Sequence, residues 1–281
     1  MNLGPIDPKE LAMMTEDLFD LADYSERGFA VLRGVLSESE CEEARLESDR
    51  LMRLCDADRE TYGPRLELEV DHLAPEHRQN MDRVIRKIEP ISDISDFFDR
   101  MAMREAIVRP ARAVFDDEVR VFEDKLNLKL PGGSPYPWHQ DWPCCWRAQT
   151  DELITCFVYL DDADETNGCL HVIPGSHLGR PIHPFKGNGH FEVDPSTVDE
   201  SLAVPVPLAA GDMIVFDPYL LHFSDLNRGT VPRRAIIYTY HPSRLGSVNQ
   251  DRFPKLAGRP RLDKYQTGLP RPLIPVYRLG A

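Results

Sequence analysis

A histidine and an aspartate stand two positions apart in Pro137-Trp138-His139-Gln140-Asp141-Trp142, shortly after the turn-rich segment Leu130-Pro131-Gly132-Gly133-Ser134-Pro135. Successive side chains of an extended strand point to opposite faces. The spacing therefore predicts His139 and Asp141 on one face and Gln140 on the other. An imidazole and a carboxylate converging on one point supply two ligands of a metal site, and a third must come from elsewhere. A chain with 9 histidines and 47 acidic residues also produces His-X-Asp by chance, so the pair gains meaning only through its partners.

The candidate partner ends the stretch Gly211-Asp212-Met213-Ile214-Val215-Phe216-Asp217-Pro218-Tyr219-Leu220-Leu221-His222, an apolar strand leading to His222. A polar loop follows from Ser224 to Pro232, and a β-rich strand then opens with Arg233-Arg234. If the two strands pair antiparallel across that loop, Arg233 returns beside His222. Two neutral imidazoles and one carboxylate suit Fe(II) and leave coordination positions open, whereas a closed structural zinc site takes four protein ligands. A permanently charged, forked guanidinium suits bidentate capture of a carboxylate. Together these residues describe a site for a dicarboxylic 2-oxo acid, chelating iron at one end and held by arginine at the other. Strand alternation turns Arg234 away from Arg233, which makes Arg233 the predicted binder. The alternatives are a core histidine at 222 and a surface base at 233. His171, His177, His183, His190 and His241 are also available, but His171 has no carboxylate two positions away and His183 and His190 fall in a long loop.

The elements that must position these residues read as follows. Asp7-Pro8-Lys9-Glu10 opens a helix that continues through Leu11, Met14, Leu18 and Leu21 and ends at Gly28. Phe29 to Arg33 is a short strand. Ser37-Glu38-Ser39-Glu40 is a capping box that starts an amphipathic helix to about Leu54. Arg83 to Glu89 is a strand, Ser95 to Ile107 a helix, and Pro110 starts another. Glu118 to Leu130 is a strand with Lys125, Asn127 and Lys129 on one face. Further strands cover Leu153 to Leu160, Cys169 to Ile173, Ala203 to Leu208, Met213 to Phe216 and Arg234 to Tyr240. Residues 178 to 200 form a long loop, and the Pro- and Arg-rich end from Asp251 is irregular. Strands at short regular spacing indicate an antiparallel sandwich or barrel. Helices concentrated in the first 115 residues indicate a helical layer on an all-β core rather than βαβ units.

A length of 281 residues suits one large domain or two small ones. The net charge of −14 argues against a nucleic-acid or anionic-membrane partner, and no apolar run is long enough to span a bilayer. Gly132-Gly133 precedes no helix, so no nucleotide fingerprint lies there. The cysteines 41, 55, 144, 145, 156 and 169 match no zinc spacing. With no secretory signal in Met1-Asn2-Leu3-Gly4-Pro5-Ile6-Asp7, they read as reduced thiols of a cytoplasmic protein.

His139-Gln140-Asp141, the run from Asn167-Gly168-Cys169-Leu170-His171 through Pro174-Gly175-Ser176-His177, Gly211-Asp212-Met213, and His222 with Arg233 together resemble the phytanoyl-CoA dioxygenase-like family, over roughly residues 20 to 245. These are Fe(II)- and 2-oxoglutarate-dependent oxygenases. The resemblance implies a mainly β fold with flanking helices, built on a double-stranded β-helix or jelly-roll core. The expected organisation is one domain over 1–281. Its helical layer lies mostly in 7–115, its jelly-roll core in about 118–245, and an irregular segment in 246–281. The resemblance implies iron ligands at His139, Asp141 and His222, with Arg233 on the distal carboxylate of 2-oxoglutarate. It assigns Ser224 an assisting position and Asn127 a contact with 2-oxoglutarate. Phe157 falls where many members carry tryptophan, and His177 belongs to a structural turn. Family halogenases lack the carboxylate, so Asp141 favours hydroxylation of a small-molecule substrate with O₂. Trp142 and Trp146 beside the ligands are the candidate substrate-facing residues, and the 178–201 loop is a candidate lid. The competing reading is a jelly-roll metal protein without oxygenase turnover, either a cupin-like isomerase or a degenerate binding module.

Overall fold

The computed structural model describes residues 19–73, 78–79, 81–146, 150–186, 192–246 and 248, without the side chains of 144–146. The predicted helix start at Asp7 and the irregular end from Asp251 lie outside the described residues. Helix α1 (Leu21–Arg27) begins where the Asp20 carboxylate accepts from the backbone N–H groups of Ala22 and Asp23, and it ends at Gly28 with φ +82°. Gly28 also lies against the His177 ring, where a Cβ would sit 2.4 Å from Nδ1. The predicted capping box of Ser37 and Glu40 opens α2 (Glu38–Ala57), which buries Cys41, Ala44, Leu51 and Cys55. After a single helical turn at Arg59–Tyr62 come α3 (Asp96–Ala102) and α4 (Glu105–Phe115). Pro110 does not start a helix as expected. The break comes earlier, at Arg104 with ψ 133°, and α4 runs through Pro110, which forgoes one i→i−4 bond there. Burial of Ile107, Val108, Pro110 and Ala111 offsets that loss.

The strands are β1 (Phe29–Leu32), β2 (Leu66–Leu68), β3 (Ile85–Ile88), β4 (Val119–Lys129), β5 (Tyr136–His139), β6 (Ile154–Tyr159), β7 (Leu170–Val172), β8 (Val204–Val206), β9 (Met213–Phe216), β10 (His222–Ser224) and β11 (Arg233–Pro242). They form a seven-stranded sheet in the order β1-β9-β6-β11-β4-β3-β2 and a four-stranded sheet in the order β5-β10-β7-β8. This is the jelly-roll core with flanking helices. One face of the large sheet packs on the helices through Leu126, Leu128, Ile236, Tyr238 and Tyr240, against Leu51, Phe98 and Ile107. The Tyr238 and Tyr240 hydroxyls donate to the carbonyls of Phe98 and Ala102 at the end of α3. The opposite face presents Phe157, Tyr159, Ala235 and Ile237 to Leu170 and Val172 of the small sheet. Because both faces of β11 are covered, its strand-period alternation separates two buried environments rather than core and solvent.

One expectation about pairing is corrected. Arg233 does not return beside His222 in one antiparallel pair: β10 pairs with β5 and β7, while β11 pairs with β4 and β6 in the other sheet. The reason lies in the connecting loop. Asn227 donates through its side chain to the carbonyls of Lys129 and Val231, and its backbone bonds Gly132 and Gly133. The chain therefore folds over the end of the sandwich and crosses between sheets. The 178–201 segment is also more than a connection. Its described residues Val193, Phe185 and Val198 pack against Trp138 and Leu221, with Phe223 alongside. Among the described residues no helix is long and apolar enough to cross a membrane.

Candidate active site

His139 ends β5 and His222 begins β10, and they are direct cross-strand partners. Such neighbours bring side chains to within contact distance, and the ring centroids lie 4.0 Å apart. Asp141 reaches them by a different route from the one expected. The strand stops at His139, and Asp141 opens a wide helical turn over Asp141–Trp146. The turn still brings Asp141 to the same point: its Oδ1 is 3.8 Å from Nε2 of each histidine. One ligand atom from each of the three residues lies within 4.8 Å of the others, a spacing that a single ion can bridge.

The backbone prepares the ligands. Nδ1 of His139 is 2.7 Å from the carbonyl of Pro137, and Nδ1 of His222 is 2.9 Å from that of Leu220. A carbonyl only accepts, so each Nδ1 carries the proton and each Nε2 lone pair faces the site. Asp141 Oδ2 accepts from the Thr155 hydroxyl at 3.1 Å, which leaves Oδ1 for a cation. Burial, then His222, pushes the pKa of His139 down to about 3 against the pull of Asp141; burial pushes His222 down to about 4. Both rings are thus neutral, the form that binds metal, throughout the physiological range. Two nitrogens and one hard oxygen, with no thiolate, fit a divalent iron-type ion.

Arg233 opens β11 with only 1% exposure, and its Nε and Nη1 are buried without a hydrogen-bond partner. A buried guanidinium with open donors fits an absent anion, because leaving such a group unpaired is costly. The rings of Phe157 and Tyr159 flank it, with centroids 5.8 and 5.6 Å from Cζ. Asn127 lies on the same inner face, paired in register with Ala235, and its Oδ1 is also buried without a partner. Ser224, 2% exposed, accepts from Lys129 Nζ at 2.8 Å. Arg234 turns the other way, as alternation requires, and binds Asp161 bidentately and Asp49. The structure thus places His139, Asp141 and His222 together, and gathers Arg233, Phe157, Asn127 and Ser224 in the interior beyond them.

Trp142 is held in place by packing. Its ring stacks on Tyr219 at 5.5 Å, its indole N–H donates to the Thr150 carbonyl, and Phe122, Leu153 and Val248 surround it. The Trp146 side chain lies outside the described residues, as does His190. His171 stacks on Phe223 away from the triad, and His177 bonds the Ser25 carbonyl in its turn. The His183 backbone N–H donates to the Gln140 side-chain carbonyl oxygen, and His241 bonds the Pro242 carbonyl. Gln140, pointing away from the triad, donates to the Pro181 carbonyl of the 178–201 segment and to the Tyr219 carbonyl ahead of β10, tying the two together. Sequence reasoning missed Thr155 and Tyr159. It placed Lys129 on the face shared with Asn127, but its contact with Ser224 was not legible.

Asn167-Gly168 gains a physical role here. Gly168 has φ +78°, and a Cβ on it would sit 2.3 Å from the Asp225 carbonyl oxygen and 3.2 Å from Lys129 Cδ. Gly168→Ala should therefore strain the backbone and push away the exit of β10. We expect a loss of about 2–3 kcal/mol and a fall in Tm of roughly 5–10 °C. An unchanged melting temperature would disprove this account of the glycine.

Comparison with known proteins agrees with the geometry. The family model described as phytanoyl-CoA dioxygenase (PhyH) matches residues 24–235. A probable alpha-ketoglutarate-dependent hypophosphite dioxygenase of Stutzerimonas stutzeri is 30% identical over 170 residues, 56% of this chain and 57% of that protein. A methylphosphonate hydroxylase of Gimesia maris is 32% identical over 143 residues, 51% of this chain and 53% of that protein. The chain thus spans little more than half the length of these two relatives. EctD from S. alaskensis, crystallised with 2-oxoglutarate and 5-hydroxyectoine, superposes with a TM-score of 0.62 at 22% identity, covering 97% of this chain and 84% of that one, and shows the shared fold. With the family model matched from α1 to the start of β11, across all three triad residues and Arg233, the chain belongs to the phytanoyl-CoA dioxygenase family.

Proposed function

We propose that this protein is an Fe(II)- and 2-oxoglutarate-dependent dioxygenase that hydroxylates an unactivated C–H bond of a small molecule. The observation that carries this reading is the pairing of the His139, Asp141 and His222 cluster with the buried, partly unpartnered guanidinium of Arg233 inside one jelly roll. When bound, iron, 2-oxoglutarate and O₂ supply the oxidant, with release of succinate and CO₂. The chain's own residues hold and orient. His139 and His222 offer Nε2 because the carbonyls of Pro137 and Leu220 hold Nδ1. Thr155 fixes the Asp141 carboxylate. Arg233 takes the distal carboxylate with Ser224 assisting, Asn127 contacts the co-substrate, and Phe157 with Tyr159 keeps water from the guanidinium. Water exclusion strengthens that ion pair.

Trp142 and Trp146, following Asp141, are the residues we expect to flank the substrate. Small phosphorus oxyacids belong first in a substrate screen, because relatives at 30–32% identity are named for hypophosphite and methylphosphonate. We place the protein in a reducing compartment such as the cytoplasm, in keeping with the free, buried thiols of Cys41, Cys55, Cys156 and Cys169. The test is direct. Anaerobic Fe(II) protein should develop a weak visible charge-transfer band on adding 2-oxoglutarate, and should form succinate in air with a substrate from the screen. The absence of both band and succinate would overturn the assignment.

A further inference from the structure

Lys129 ends β4 directly opposite Arg233 in the register of β4 and β11, so both side chains enter the same end of the sandwich. It is 1% exposed, and its Nζ is surrounded by three oxygens: Ser224 Oγ at 2.8 Å, the Ser224 carbonyl at 3.3 Å and the Asp225 carbonyl. The two carbonyls can only accept, so N–H groups of Lys129 face them, and burial, then the Arg233 and Arg86 charges, pushes its pKa down to about 5. Other charged or polar groups approach this lysine from neighbouring elements. Arg233 stands on β11 and Arg86 on β3; Glu69 lies in the turn after β2 and Asp225 just past β10. The Tyr136 ring of β5 is 5.4 Å from Nζ.

The contact crosses the sandwich. It joins the large sheet to the end of β10, whose other end is His222. It also holds the Ser224 side chain in place, with Oγ 2.8 Å from Nζ. Gly168 leaves the space that this crossing needs, since any side chain there meets Asp225 and Lys129.

From these contacts we infer that Lys129 is a positioning residue for the co-substrate: it fixes the end of β10 and holds the Ser224 hydroxyl at the Arg233 end of the sandwich, in place to meet the distal carboxylate of a dicarboxylic 2-oxo acid. The inference rests on the reading of Arg233 as the carboxylate binder. It adds to that reading a specificity device, because the positioned hydroxyl favours a 2-oxo acid with a second carboxylate over one without.

The test measures dissociation constants by calorimetry on full-length protein loaded with Mn(II), which binds without turnover. The two ligands are 2-oxoglutarate and 2-oxobutyrate, which lacks the distal carboxylate. Lys129→Met should weaken 2-oxoglutarate about tenfold and leave 2-oxobutyrate within about twofold. Lys129→Gln, whose amide can still donate to Ser224, should recover part of the discrimination. In a Ser224→Ala background the Lys129→Met effect should shrink to less than about threefold, since coupled residues are not additive. Equal weakening of both ligands would show a merely structural lysine and overturn the inference, as would an unchanged ratio in either variant. If wild-type protein itself fails to prefer 2-oxoglutarate, the reading of Arg233 fails instead.

Discussion

Arg233→Met should weaken 2-oxoglutarate binding on the order of 100-fold while leaving metal binding intact. Truncating one partner of a buried charge pair costs about 2–5 kcal/mol, and each 1.4 kcal/mol is about tenfold in affinity. The ligand-free protein should not suffer correspondingly. Nε and Nη1 of Arg233 already lack partners in a nearly closed environment, so an apolar side chain of similar length removes an unpaired buried charge. The two effects separate in a thermal-shift experiment. At 100 times its dissociation constant, 2-oxoglutarate should stabilise the wild type by about 2.7 kcal/mol. The variant at the same ligand concentration should show almost none of that shift, on an unliganded Tm equal to or above that of wild type. Equal ligand-induced shifts in the two proteins would mean that another cation binds the carboxylate.

Asp141→Ala should cost more in metal affinity than the roughly 10–100-fold lost on removing an outer-sphere partner of a ligand. Asp141 is the one anionic member of the triad, and its Oδ1 is equidistant from both Nε2 atoms. The two imidazoles remain neutral and correctly turned, because the Pro137 and Leu220 carbonyls hold them independently of the aspartate. Residual binding should therefore resemble a weak two-histidine site, and succinate formation should fall below detection. The fold should survive with a penalty of about 1 kcal/mol, that of the Thr155 hydroxyl left without its acceptor. Titration with Fe(II) under anaerobic conditions reads the first effect and thermal unfolding the second. A variant that kept wild-type iron affinity would remove Asp141 from the metal site.

Much of this was legible in the chain because it depends on local rules. The Ser37 and Glu40 capping box, the alternation that turns Arg234 to Asp161 and Arg233 inward, and the shared inner face of Lys125, Asn127 and Lys129 all follow from backbone periodicity. Pro110 misled for the opposite reason. Its local preference for a first helical turn was outweighed by burial against the sheet, a tertiary effect.

The sequence by itself determined the chemistry: which side chains can ligate and which cation is permanently charged. Only the tertiary structure decided how they meet. His139 and Asp141 converge through a strand end and a wide turn rather than along one strand, and His222 and Arg233 stand on strands of different sheets. The physical reason is that register and loop closure are non-local. The bonds of Asn227 across the sandwich end, the space left by Gly168, and the Lys129 contact with Ser224 each join residues about 60 to 100 positions apart. No pattern within a single strand encodes such contacts.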